Sequence, residues 1–297
     1  MRRRRVVLAL AAASAVLPRL GRAEEPLRSP LSTGQYTSGP RAYRTQSYWL
    51  EGRDGVMLVD TQFLPSDALK FADQATAATG KPVKLAVVLH PNPDKFNGCT
   101  ALQGRRIDVV TSRQVAELIP AVHRIRRGWF YDEFKPDYPS EAPQPAVFGD
   151  RTAVLRAAGL ELTLHVLGGA GCSGAHVVLQ AGDTLFVGDL LASHGHAWLE
   201  LALFDEWLAR LDELDALRPR RISVGRGPAA GAELIDAHRR YLRTVRDIVR
   251  AEQPEGELGL VKRWLLKRRI TDAFPGYAWD EFVWEALPEV WRKLAHP

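Results

Sequence analysis

The 297-residue chain is 46% hydrophobic, 25% charged and 8% aromatic, an ordinary globular balance that excludes collagenous, disulfide-framework and wholly disordered classes. Its formal charge of +5 is carried by the leader: Arg2, Arg3, Arg4, Arg5, Arg19 and Arg22 lie in the first 23 residues, which hold no acid, and without them the balance is −1. The remainder has no basic surplus with which to attract nucleic acid or an anionic membrane.

An arginine run, an apolar stretch over 6–17 and a small-residue exit at Gly21-Arg22-Ala23 predict a cleaved signal peptide over 1–23. The stretch is too short to cross about 30 Å of hydrocarbon as a helix. No other window is long and apolar enough, so no integral membrane segment is expected after signal removal. Arg4-Arg5-Val6-Val7-Leu8 suits the twin-arginine route, and the expected location is the periplasm or the exterior.

Residues 24–44, rich in Pro, Gly, Ser and Thr without apolar period, read as an extended lead-in. A hairpin is predicted from strands at 48–50 and 56–59 around a Gly52 to Gly55 turn, ending at Asp60. A helix over 65–79 follows, stopped by Gly80 and Pro82. The wholly apolar run at 85–89 reads as a strand covered on both faces, and it stops at His90-Pro91-Asn92-Pro93-Asp94. Helices at 97–103 and 112–119 flank a strand at 109–110. Residues 129–150, with Pro136, Pro139, Pro143 and Pro145 among aromatics and acids, predict a long surface loop or lid.

Alternation over 160–166 predicts a half-buried strand, and further strands fit 177–180, 184–187 and 222–224. Helices are expected over 205–217 and 232–251, the latter with Leu234, His238, Tyr241, Val245 and Ile248 on one stripe. Two such β sections with helices outside make an α/β protein, a four-layer αββα sandwich, with its domain over 45–251. The tail over 252–297 carries Trp264, Trp279, Trp284 and Trp291 on amphipathic helices, expected to pack on the domain or on a protein partner.

Polar turns stand where apolar strands stop: His90 to Lys95, Gly171-Cys172-Ser173, Gly188-Asp189 and Gly225-Arg226-Gly227. With Leu58-Val59-Asp60-Thr61, their order resembles the metallo-β-lactamase-fold hydrolases over about residues 48–231. That resemblance implies a first turn reading His-x-His-x-Asp-His, then His, Asp and His on later turns, holding two zinc ions that activate a bridging water. Here His90, Asp94 and Asp189 match, while Asn92, Lys95, Cys172 and Arg226 stand where imidazoles are implied. An ammonium or guanidinium has no lone pair for zinc, so the second-metal position is expected to be empty, with salt bridges in its place.

Two readings remain on the sequence. In the first, an exported hydrolase-like enzyme keeps at most one zinc on His90, Cys172 and Asp189, Asp94 orients the water, and Lys95 or Arg226 stabilises the oxyanion of an anionic or ester-like substrate. In the second, a non-catalytic relative without metal uses Lys95 and Arg226 to clamp a small anion, or docks its tail on a partner. Cys99 and Cys172 form an even pair open to a disulfide, which would remove the thiolate ligand. Asp60, Asn92, His194 and His196 are further pocket candidates. His176 is read as a packed or surface side chain, and His123 with Arg124, Arg126 and Arg127 as a solvated basic helix end.

Overall fold

The computed structural model describes residues 31–295; the expected signal peptide and the start of the lead-in lie outside the described residues. Within the lead-in, Thr33–Thr37 (β1) pairs antiparallel with Gln46–Glu51 (β2). Gly34 makes this edge pairing fit, because it faces Trp49 across the ladder and a Cβ on it would stand 1.9 Å from the indole. Composition hid this strand, whose residues alternate exposed and half-buried on a sheet edge.

The predicted hairpin joins β2 to Val56–Val59 (β3), and Pro65–Thr79 forms α1, closed by Gly80 in the left-handed region at φ 68°. Val83–Val87 (β4) lies parallel to β3, followed by the short helices Pro93–Phe96 (α2) and Cys99–Gly104 (α3). Asp108–Ser112 (β5) leads into Arg113–Phe134 (α4), capped by the Ser112 hydroxyl, which accepts from the Val115 N–H.

Helix α4 corrects the reading of 112–119 as a short helix and of 129–150 as a loop. It runs through Pro120 because a stripe of Val115, Ile119, His123, Arg126 and Phe134 is buried along its whole length, and tertiary burial outweighs the proline's lost hydrogen bond. Ala146–Gly149 (β6) then joins β5 in parallel, so the irregular segment shrinks to 135–145.

The first sheet has the order β1-β2-β3-β4-β5-β6. The second contains Ala153–Ala157 (β7), Leu160–Leu167 (β8), His176–Ala181 (β9), Thr184–Phe186 (β10) and Arg221–Ser223 (β11), in the order β11-β10-β9-β8-β7. Strand β7 was not anticipated; its register with β8 exposes Val154 and Arg156. The remaining helices are Phe204–Ala216 (α5), Glu233–Arg250 (α6), Leu260–Ala273 (α7) and Asp280–Ala295 (α8).

Both sheets are mixed, and helices cover their outer faces in an αββα sandwich with additional C-terminal helices. One core of side chains such as Leu58, Val87, Phe71 and Leu179 fills the space around the first sheet; a second, with Val187, Trp207, Leu242 and Trp291, lies under the second sheet and the tail. Trp279 and Trp291 donate to backbone carbonyls of Tyr43 and of Glu255 and Gly256, whereas Trp264 is exposed. No helix among the described residues is long and apolar enough to cross a membrane.

The sheets meet at strand ends. Val177 N–H donates to Leu89 O over 2.7 Å, Gln46 N–H to Gly225 O over 2.9 Å, and Tyr48 Oη–H to Val224 O over 2.8 Å. These bonds gather the polar turns of both halves into one place.

Candidate functional site: a closed box of ion pairs beneath an aromatic cavity

The first turn follows β4. Pro93 at the start of α2 sets the helical φ, and Asp94 and Lys95 fall in its first turn. Thr61 holds this turn from the neighbouring strand end, donating through both its N–H and its hydroxyl to Lys95 O at 2.9 and 2.7 Å. Asp189 sits on the 3-10 turn Gly188–Leu190 after β10, and Arg226 on the turn after β11.

These side chains close a ring of opposite charges. Lys95 Nζ lies 3.0 Å from Asp94 Oδ2 and 3.0 Å from Asp189 Oδ1. Arg226 donates through Nη2 to Asp94 Oδ2 at 2.9 Å and through Nη1 to Asp189 Oδ2. Each acid touches both cations. Lys95 is fully buried, and its ammonium stands between the two carboxylates.

Burial alone would raise Asp94, but Lys95 and Arg226 beside it hold its carboxyl well below the usual carboxylate range. Burial likewise works against the Lys95 ammonium, and Asp189, Asp94 and Asp60 more than reverse it. Glycines permit the closure: a Cβ on Gly225 would stand 2.1 Å from Asp189 Oδ1 and 2.6 Å from Lys95 Nζ, and one on Gly188 2.8 Å from the His90 ring. The salt bridges expected of Lys95 and Arg226 are thus present, and both cations are neutralised by the acids rather than open to an anion.

The donor set does not fit zinc. His90 Nε2 accepts from the Asp189 backbone N–H at 3.2 Å, and its Nδ1 faces Ser173 Oγ at 3.2 Å. Both free cysteines are buried; burial, with Asp189 nearby, raises the Cys172 thiol well above its ordinary value, so it is not a ready thiolate. Among the described residues no three His, Cys, Asp or Glu side chains form a group that could hold a metal ion. The expected grouping of His90, Cys172 and Asp189 as a one-zinc site is therefore not assembled, and the disulfide open on the sequence is not formed.

Asp94, Asp189 and Arg226 form the floor of a cavity of about 360 Å³, with Asn92 and Pro93 at its edge. Helix α4 supplies Arg126, Trp129 and Phe130; helix α8 supplies Glu281, Phe282 and Glu285; Tyr43, Phe63 and Trp198 complete the walls. The Phe282 ring lies 5.1 Å from the Arg226 guanidinium and 5.2 Å from the Trp198 ring.

Other candidates fall elsewhere. Asp60 stands behind the floor, accepting from Leu89 N–H at 2.9 Å, and burial pushes its carboxyl up to about 7. His194 is exposed, and His196 packs on Tyr241 and Tyr277 while its backbone bonds to Ala278 of the tail. His176 is buried against Ser173 and the His90 ring. The solvated basic helix end is corrected for two members: His123 and Arg126 are buried because α4 turns them inward, while Arg124 and Arg127 are exposed. The spacing of Ile119, His123, Arg126 and Phe130 at successive intervals of four, three and four residues was a signal for that inward face. Nothing local in the sequence pointed to Phe282 as a wall of the site.

The family model described as the metallo-beta-lactamase superfamily matches residues 40–226. Among solved structures, the chain is similar to a metallo-beta-lactamase from Pontibacter korlensis at 19% identity, with 72% of this chain and 94% of that one covered and a TM-score of 0.54. It is also similar to metallo beta lactamases from Erythrobacter litoralis (17% identity, 74% and 95% covered, TM-score 0.54) and Hirschia baltica (20%, 71% and 92%, 0.51). Among curated protein sequences none matches. At these identities the structural likeness carries the fold alone.

Proposed function

Because the chain belongs to the metallo-β-lactamase superfamily, we propose that it is a divergent, hydrolase-like member whose two-zinc centre has given way to ion pairs, and that it acts by binding a small molecule in the cavity above them. One observation carries this reading. Asp94 and Asp189, the two acids of the family pattern, each pair with both Lys95 and Arg226 within the buried ring. Four charges that balance supply the compensation a dication would otherwise bring. A metal entering there would have to displace two cations and leave them unpaired in a buried site, which costs several kcal/mol.

The one-zinc hydrolase reading has weaker support, since the imidazole and thiol it needs are each engaged or held neutral. The test is the zinc content of the full chain purified without chelator, with thermal melts in added zinc and in chelator. Zinc far below one per chain and melts indifferent to both additions are expected. One or two tightly held zinc ions per chain would overturn the proposal.

A further inference from the structure

We propose that the cavity takes a flat, apolar molecule bearing one carboxylate, and that Arg126 receives the carboxylate. This rests on the reading of the cavity as a small-molecule site and adds the chemical class of its occupant. The Arg126 side chain is 6% exposed, and its Nη2 pairs with Glu200. Its Nη1 is buried without a hydrogen-bond partner among the described residues. A guanidinium stays charged at any working pH, and a buried N–H left unpaired is costly, so this nitrogen marks a place for an acceptor from outside the chain.

The fork is held in position before any ligand arrives. The Trp129 ring stands 4.0 Å from the guanidinium carbon and Trp198 5.4 Å from it, a stacking arrangement that fixes the plane of the donors. Phe63, Phe130 and Phe282 give the cavity aromatic walls suited to a flat ring system. Its volume of about 360 Å³ matches the small end of small-molecule sites.

Four carboxylates and two guanidinium groups line the cavity, so the case for an anion rests on which of these charges are already paired. The floor acids Asp94 and Asp189 are already satisfied by Lys95 and Arg226, and Glu285 of the wall lies 3.8 Å from the Arg263 guanidinium. Glu200 offsets part of the Arg126 charge, which suits a singly charged carboxylate.

Calorimetry on the full chain with 1-naphthylacetate, 1-naphthylacetamide and 1-naphthylmethylammonium tests this. The acid should bind at least about tenfold more tightly than the amide. Arg126→Gln should bring the acid down to the amide's affinity and leave the amide unchanged. If that variant fails to fold, Glu200→Gln, which keeps the guanidinium and removes the charge of its internal partner, should tighten the acid selectively. Equal binding of acid and amide, or a Glu200→Gln variant with unchanged or weaker acid binding, overturns the carboxylate assignment and leaves the small-molecule reading standing. Tightest binding of the ammonium overturns it in favour of a cation cage. Failure of all three probes also overturns it, and the zinc content then decides the parent reading separately.

Discussion

The backbone N–H of Asp189 donates to Nε2 of His90 over 3.2 Å, and this bond sets the tautomer of the imidazole. With Nε2 accepting, Nδ1 carries the proton and donates to Ser173 Oγ. Burial, helped by Lys95, pushes the His90 pKa down to about 3, so the ring is neutral at every physiological pH. An imidazole that matches a metal-ligand pattern in sequence serves here as a buried brace between two turns.

That brace belongs to a group of buried histidines, and their titration predicts acid sensitivity. Burial lowers His90 and His238 to about 3 and His196 to about 4. Between those values and the ordinary 6.5 the unfolded chain binds more protons than the folded one, so stability rises with pH through that window and is lost on acidification. Asp60 acts oppositely: its folded pKa of about 7 makes its contribution largest at low pH and lost as pH rises through 7. These three histidines, joined by His176, whose burial also holds it well below its ordinary value, outweigh one carboxylate, so urea unfolding should show a net gain in stability from pH 4 to 6.5. Asp60→Asn should add about 1–3 kcal/mol at pH 8, and a stability that falls from pH 4 to 6.5 would contradict this account.

Removing one corner of the charge box should be severe. Arg226→Met leaves Asp94 and Asp189 sharing Lys95 alone in a buried site, and breaking such a pair typically costs about 3–5 kcal/mol. Equilibrium denaturation gives the value directly. A loss under about 1 kcal/mol would mean that the four charges are not coupled.

Gly225 tests the closeness of the box without altering a charge. Gly225→Ala places a methyl within the Asp189 and Lys95 contacts, while the backbone is pinned by bonds from Gly225 N–H to Gly188 O and from Gln46 N–H to Gly225 O. A loss of about 1–3 kcal/mol is expected. Gly104→Ala, with nothing within 4 Å of the added atom, should be neutral or slightly stabilising, and equal effects at the two sites would count against the argument.

Restoring imidazoles should restore metal. A variant carrying Asn92→His, Lys95→His, Cys172→His and Arg226→His removes both fixed cations and returns neutral nitrogen donors to the turns that hold His90, Asp94 and Asp189. Elemental analysis should find zinc in this variant and not in the parent chain. A variant as free of zinc as the parent would show that the backbone, and not the cations, excludes the metal.

Much of the architecture was legible because it rests on local regularities. The α1 boundaries follow from Pro65 and Gly80, the β2–β3 hairpin from two apolar runs around a glycine turn, and α6 from its apolar stripe. The edge strand β1 and the full length of α4 were not legible, since one is half-exposed and the other continues through Pro120 on the strength of burial that local propensity does not register.

By itself, the sequence determined which side chains end the strands, and therefore that cations stand at two positions where the family pattern has imidazoles. Only the tertiary structure decided what those cations do: Asp94 and Arg226, 132 residues apart, meet at 2.9 Å because two sheets bring their strand ends together. It likewise turned Arg126 from an exposed helix end into a buried wall and set Phe282 of the tail above the floor. The physical reason is range. Propensity and periodicity act over a few residues, whereas charge pairing and desolvation depend on which distant turns the topology makes neighbours.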